Sequence, residues 1–180
     1  EKFGGSAFYF QLYRNTEHWK SYIYYRNITP EYQANVGFVV KNNRRWGTFF
    51  HEYQNFINKK GLQFFSIGTK ADLNYTFQNY LKAISLDGIF SVKTFLNTTI
   101  EYTYDWDVFK NYLGRDYRNL GKSELNIQSN PSESFSLMIR STFGKDLAYN
   151  EENPDVGREF TFFIMPSFQL GNKINLSPSI

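Results

Sequence analysis

From Phe65 onward, apolar or neutral residues recur at every second position: Phe65, Ile67, Thr69, Ala71, Leu73, Tyr75 and Phe77. Between them stand Ser66, Gly68, Lys70, Asp72, Asn74, Thr76 and Gln78. A period of two sends successive side chains to opposite faces of a strand, so the run predicts a long strand that is greasy on one side and wet on the other. The same alternation sets Phe8, Phe10 and Leu12 against Ala7, Tyr9 and Gln11, and strands are expected again at 19–26, 36–40 and 46–54. In residues 88–104, Phe90, Val92, Leu96, Ile100 and Tyr102 share one face, and Ser91, Lys93, Asn97, Thr99 and Glu101 share the other. Further strands are expected at 122–129, 135–143, 159–170 and 174–180, about nine or ten in all. Residues 107–113 read as a short helical turn at most.

The connections carry as much information. Turn formers cluster at 42–45, 130–133 and 171–173, while 105–121 and 145–157 are longer polar stretches. Counted back from the C-terminus the order is short, long, short, long. In an up-and-down meander, that places clipped turns at one end and long loops at the other, the asymmetry of bacterial outer-membrane barrels. Strands in soluble folds run about 5–6 residues; the two best runs here are far longer, and a tilted strand crosses a bilayer in roughly 9–11. Aromatics gather at strand ends (Tyr75 and Phe77; Tyr102, Tyr104 and Trp106), where an interfacial girdle belongs. The expected fold is therefore all-β: an antiparallel up-and-down transmembrane β-barrel of about ten strands, or a fragment of a larger one. It forms one domain over residues 1–180. Pro166 and Pro178 fall on the apolar faces of the last two strands, opposite each other if the turn centres near Asn172. Proline cannot donate to a ladder, so that hairpin is expected to be irregular or to lie at an edge.

Composition narrows the picture. Of 180 residues 20% are aromatic, with 19 Phe and 14 Tyr, and the mean hydropathy is -0.52. No run approaches the ~18 consecutive apolar residues of a transmembrane helix. The net charge of +3 is scattered, without the basic stripe of a nucleic-acid binder. Lys41, Arg44, Arg45, Lys59 and Lys60 read as turn charge. Without cysteine there are no disulfides or thiolate metal sites. The opening EKFGGSAFYF lacks an initiator Met and the closing INLSPSI reads as a strand cut short, so the chain is expected to be a piece of a longer protein.

The chemical candidates are sparse. His18 and His51 are the two histidines, and a Ser–His pair could serve a hydrolase. Glu52 adjoins His51 in a strand, points to the other face and so does not orient it. Asp105, Asp107 and Asp116, or Glu151, Glu152 and Asp155, could offer loop carboxylates to calcium, but neither set has calcium-loop spacing. The sequons at Asn27, Asn74 and Asn97 are read as carrying nothing. Lys70, Asp72, Lys93 and Glu101 on the polar faces would line a lumen, pairing across strands to plug a narrow barrel or tuning a wider channel. No catalytic residue, metal ligand or cofactor is expected, and no binding residue is assigned.

The segment YYRNITPEYQANVGFVVKNN (24–43) resembles a Bacteroidota family with an aromatic-rich strand, a Pro-aromatic step, then Asn and Gly-Phe; the matching residues are Pro30, Tyr32, Asn35, Gly37 and Phe38. The family's Asp-Leu before the glycine is replaced here by the one-residue-shorter Asn35-Val36-Gly37. FFIMPSFQLGNKINLSPS, from Phe162, is similar to that family's late hairpin. The resemblance implies a C-terminal outer-membrane barrel domain of unknown function behind a carbohydrate-binding-module-like sandwich. The expectation is a non-enzymatic outer-membrane protein of a Gram-negative bacterium: a membrane anchor, an envelope-complex subunit or a pore. Its partners would be outer-membrane lipid, other envelope proteins or an attached domain, and no nucleic acid. The alternatives are a soluble β-sheet domain binding a glycan or protein, and an outer-membrane enzyme modifying lipid.

Overall fold

The computed structural model describes residues 4–32, 42–59, 61–149, 153–170 and 174–178. They form nine long strands and a short tenth: β1 (Ala7–Asn15), β2 (Trp19–Ile28), β3 (Arg44–Lys59), β4 (Leu62–Tyr75), β5 (Leu81–Thr94), β6 (Thr98–Tyr112), β7 (Arg115–Ser132), β8 (Phe135–Ala148), β9 (Asp155–Leu170) and β10 (Ile174–Leu176). Each strand pairs antiparallel with the next, giving one up-and-down sheet in sequence order. The sheet is not closed into a barrel. Among the described residues β1 has no partner on its outer side, and β9 has one only where β10 covers it. The expected strand at 36–40 and the turn at 171–173 lie outside the described residues.

Turn chemistry explains the sharp connections. The turn between β6 and β7 is two residues, Leu113 at φ 49° and Gly114 at φ 78°. Two positive φ values match the right-handed strand twist of a tight hairpin. Asn43, Asn58, Asn79 and Asn97 also hold positive φ, which Asn tolerates better than most residues. Gly144, at φ 155°, packs so that an added Cβ would run into the carbonyl oxygen of Gly121.

Three sequence expectations need correction. Residues 105–121 are a protruding hairpin, not a long loop, because their charged residues alternate within paired strands. For the same reason 107–113 is strand up to Tyr112, with no helical turn. Residues 88–104 are two strands around a turn at 95–97; Phe90 and Val92 still share a face with Tyr102 and Ile100 because they pair across it. The end-to-end asymmetry holds only in part, because the connection at 113–114, on the end with the longer ones, is a two-residue turn. The connections at one end are short (16–18, 95–97, 133–134); those at the other are 29–43, 76–80, 113–114 and 149–154. β10 stops at Leu176, opposite Phe168, before Pro178 would face Pro166, as expected where neither residue can donate.

Polarity across the sheet is inverted. Among the described residues, the buried hydrophobic residues are Ile28, Phe109, Leu120 and Leu147, whereas Thr48, Gln54, Ser66, Ser123 and Thr142 are buried polar residues. Meanwhile Ile67 is 58% exposed, Phe160 74% and Phe162 55%. A water-soluble domain of this size buries its large apolar residues. Among the described residues only four hydrophobic side chains are buried.

Candidate functional site

The polar face curls around a charged cavity of about 330 Å³, lined from β4 to β8. Register places Lys70, Asp87, Asp105 and Lys122 side by side across β4–β7. Lys70 Nζ lies 2.7 Å from Asp72 and 3.1 Å from Asp87. Lys122 Nζ is 3.1 Å from Asp146, and Lys110 Nζ reaches Asp107 at 2.8 Å and Asp146 at 3.7 Å, spanning β7. Asp72 also accepts from Trp46 Nε1 at 3.0 Å and from Thr48 Oγ1. Each lysine thus has two carboxylates or shares one, which offsets the cost of half-burying these charges. Chemically the arrangement cross-links strands and occupies space.

The opposite face carries an apolar band. One register row reads Leu12, Ile23, Phe49, Ala71, Leu86 and Trp106; another reads Phe65, Val92, Ile100, Ile127, Ile139 and Ile164. The band slides as it crosses the sheet. Its centre on β1, Phe10, aligns through the register with Leu73 of β4, and its centre on β9, Ile164, aligns with Phe65. That is eight positions of β4 (73 to 65) over the eight steps from β1 to β9. At ~3.3 Å per residue and ~4.8 Å between strands, one residue per step corresponds to a tilt of about 35° between the strands and the normal to the band. Charge bounds the slanted band at opposite corners, with Arg14 below it on β1 and Lys145 and Arg158 above it on β8 and β9. Within it, Tyr104 lies over Gly121, with its hydroxyl 2.6 Å from where a Cβ would stand, and Tyr102 Oη is 2.9 Å from Ser123 Oγ.

One polar pair interrupts the band. Ser21 Oγ and His51 Nδ1 are 2.7 Å apart across β2 and β3. The imidazole stacks on Trp19, with centroids 4.9 Å apart and planes 15° from parallel. The serine was not identifiable from sequence, because it lies thirty positions from His51 and only the register joins them. Arg14 is the β1 partner of Ser21.

The other candidates separate. Glu52 points away from His51, as expected, and pairs with Lys20 at 3.3 Å. His18 Nδ1 is 3.2 Å from the Gln54 carbonyl oxygen. Lys93 and Glu101 lie on the polar face with Lys70 and Asp72. Asp105 and Asp107 belong to the charged network, while Asp116 accepts from Asn111 at 2.8 Å near the hairpin tip, so the three do not converge. Glu151 and Glu152 lie outside the described residues; Asp155 begins β9. Among the described residues no group of three His, Asp or Glu could hold a metal ion, and no helix is long and apolar enough to cross a membrane. Arg44 and Arg45 open β3 and contact Asn74 and Asn79, so they are strand-end residues rather than turn charge.

Fold and site define an all-β chain: a single antiparallel meander with ion pairs on its curled inner face and an apolar band outside. Comparison with protein-family models, curated proteins and solved structures yields no match.

Proposed function

We propose that this chain forms wall of a transmembrane β-barrel in the outer membrane of a Gram-negative bacterium, where it anchors an attached domain or serves as a structural subunit of an envelope complex. The observation that carries the reading is the slanted apolar band. Exposed apolar patches on soluble monomers reach a few hundred Å², and a band crossing nine strands has no partner among the described residues. Its slope of about 35° falls in the ~35–45° tilt of membrane barrels. In hydrocarbon every backbone group must be paired, so on this reading the wall closes through the free edges of β1 and β9, directly or by further strands. Short turns face the periplasm and long connections the exterior. The resemblance to the Bacteroidota barrel family supports the same location.

The ion pairs around Lys70, Lys110 and Lys122 favour a filled interior over a pore. Purified full-length protein, refolded into vesicles, should float with the lipid and migrate differently on gels with and without heating. It should give no steady conductance in a planar bilayer. A freely soluble monomer in detergent-free buffer would contradict the location, and stepwise conductance would replace anchor by pore.

A second reading, an outer-membrane enzyme acting on lipid, draws on Ser21–His51. Ser21 Oγ could attack an acyl ester carbonyl while His51 takes its proton and returns it to the departing lysophospholipid oxygen, water then hydrolysing the acyl-serine to fatty acid. Among the described residues no carboxylate is hydrogen-bonded to His51, which makes it the weaker reading. It predicts fatty-acid release from phospholipid that Ser21→Ala and His51→Ala each abolish; release that persists in both variants rejects it.

A further inference from the structure

Lys145 of β8 and Arg158 of β9 are direct cross-strand partners, exposed on the outer face at the end with the long connections. The next pair on that face toward the short turns is Phe143–Phe160, the top of the apolar band there. Like charges placed opposite each other on paired strands repel. Among the described residues neither cation has a carboxylate within ion-pair distance, although Lys70, Lys110 and Lys122 on the inner face each do. On β7, three positions beyond Gly121, the partner of Lys145, exposed Arg118 stacks on the Phe109 ring at 5.3 Å and has no carboxylate within ion-pair distance among the described residues.

We propose that Lys145 and Arg158, flanked by Arg118, hold the phosphate of a lipid headgroup whose acyl chains lie along Phe143, Phe160 and Phe162. The inference rests on the barrel-wall reading and names its lipid partner. Guanidinium offers a planar fork that matches phosphate, and ammonium adds a compact charge. The pair lies directly beside Phe143–Phe160 on that face, so one molecule can satisfy both the cations and the rings below them. A soluble anion would satisfy only the first.

The test reconstitutes the full-length protein in phosphatidylcholine vesicles with and without a minor fraction of phosphatidic acid. The lipid that stays bound through a detergent wash is then quantified. Phosphatidic acid should be enriched over its bulk fraction, and the double variant Lys145→Gln/Arg158→Gln should lose roughly thirtyfold of that enrichment, from about 1 kcal/mol for each of the two cations near an anionic surface. Lys93→Gln on the inner face should keep it, and inorganic phosphate should not displace the lipid. Insertion with no enrichment, or with equal enrichment in the double variant, overturns this inference and leaves the wall reading standing. Displacement by inorganic phosphate overturns the lipid as ligand. Failure to insert into either vesicle overturns the wall reading and this inference with it.

Discussion

Lys70 sits between Asp72 and Asp87, closer than 3.2 Å to both, and its ammonium is what lets two carboxylates share the inner face of neighbouring strands. Lys70→Met keeps the stem and removes the charge, leaving two half-buried anions facing each other. With the lysine side chain 32% exposed, screening trims the cost of breaking a buried pair to about 1–3 kcal/mol. Chemical unfolding should show that loss, and Asp87→Asn in the same chain should recover part of it. Gly144 is a second residue-scale test. Its backbone and the Gly121 carbonyl exclude a Cβ, so Gly144→Ala should cost at least about 1–3 kcal/mol. Gly88→Ala, with nothing within 4 Å, should be close to neutral by the same measurement. These contacts were only partly legible beforehand. Lys70 and Asp72 announce themselves by alternation, but Ser21 meets His51, and Lys110 meets Asp146, only once register is fixed.

At the scale of elements, alternation was read correctly in β4, where Phe65 to Leu73 keep phase throughout, but equally clean alternation carried residues 88–104 across the turn at 95–97 as one strand. The sequence also misled in residues 105–121, where Asp105, Asp107 and Lys110 looked like solvated loop charge. Those side chains point inward to one another, and the loop reduces to Leu113–Gly114. Polar density signals a loop only when the polar face is the wet one. Here charge lines a curled interior, so strand and loop look alike in composition. The hairpin also carries a local strain: Leu113 holds φ 49°, a conformation that costs a branched L-residue roughly 1–2 kcal/mol. Leu113→Asn should therefore raise stability by about 0.5–1 kcal/mol, seen as a later unfolding midpoint. A lower midpoint would mean that the leucine packs against something worth more than the strain.

For the whole molecule, the outer band asks what it faces. Phe90 pairs Ile67 on one side and Tyr102 on the other, near the middle of the band. In lipid, Phe90→Arg should cost about 2–4 kcal/mol; on a face bathed by water it would fall within ~0.5 kcal/mol. The three tryptophans give the most direct measurement, since Trp19 and Trp106 lie on the band while Trp46 turns inward to Asp72. Single-tryptophan variants can be refolded into vesicles whose acyl chains carry bromine, a short-range fluorescence quencher. Strong quenching of Trp19 and Trp106 with Trp46 spared is the expected result; Trp46 quenched as strongly, or all three untouched, would contradict the orientation on which the account rests.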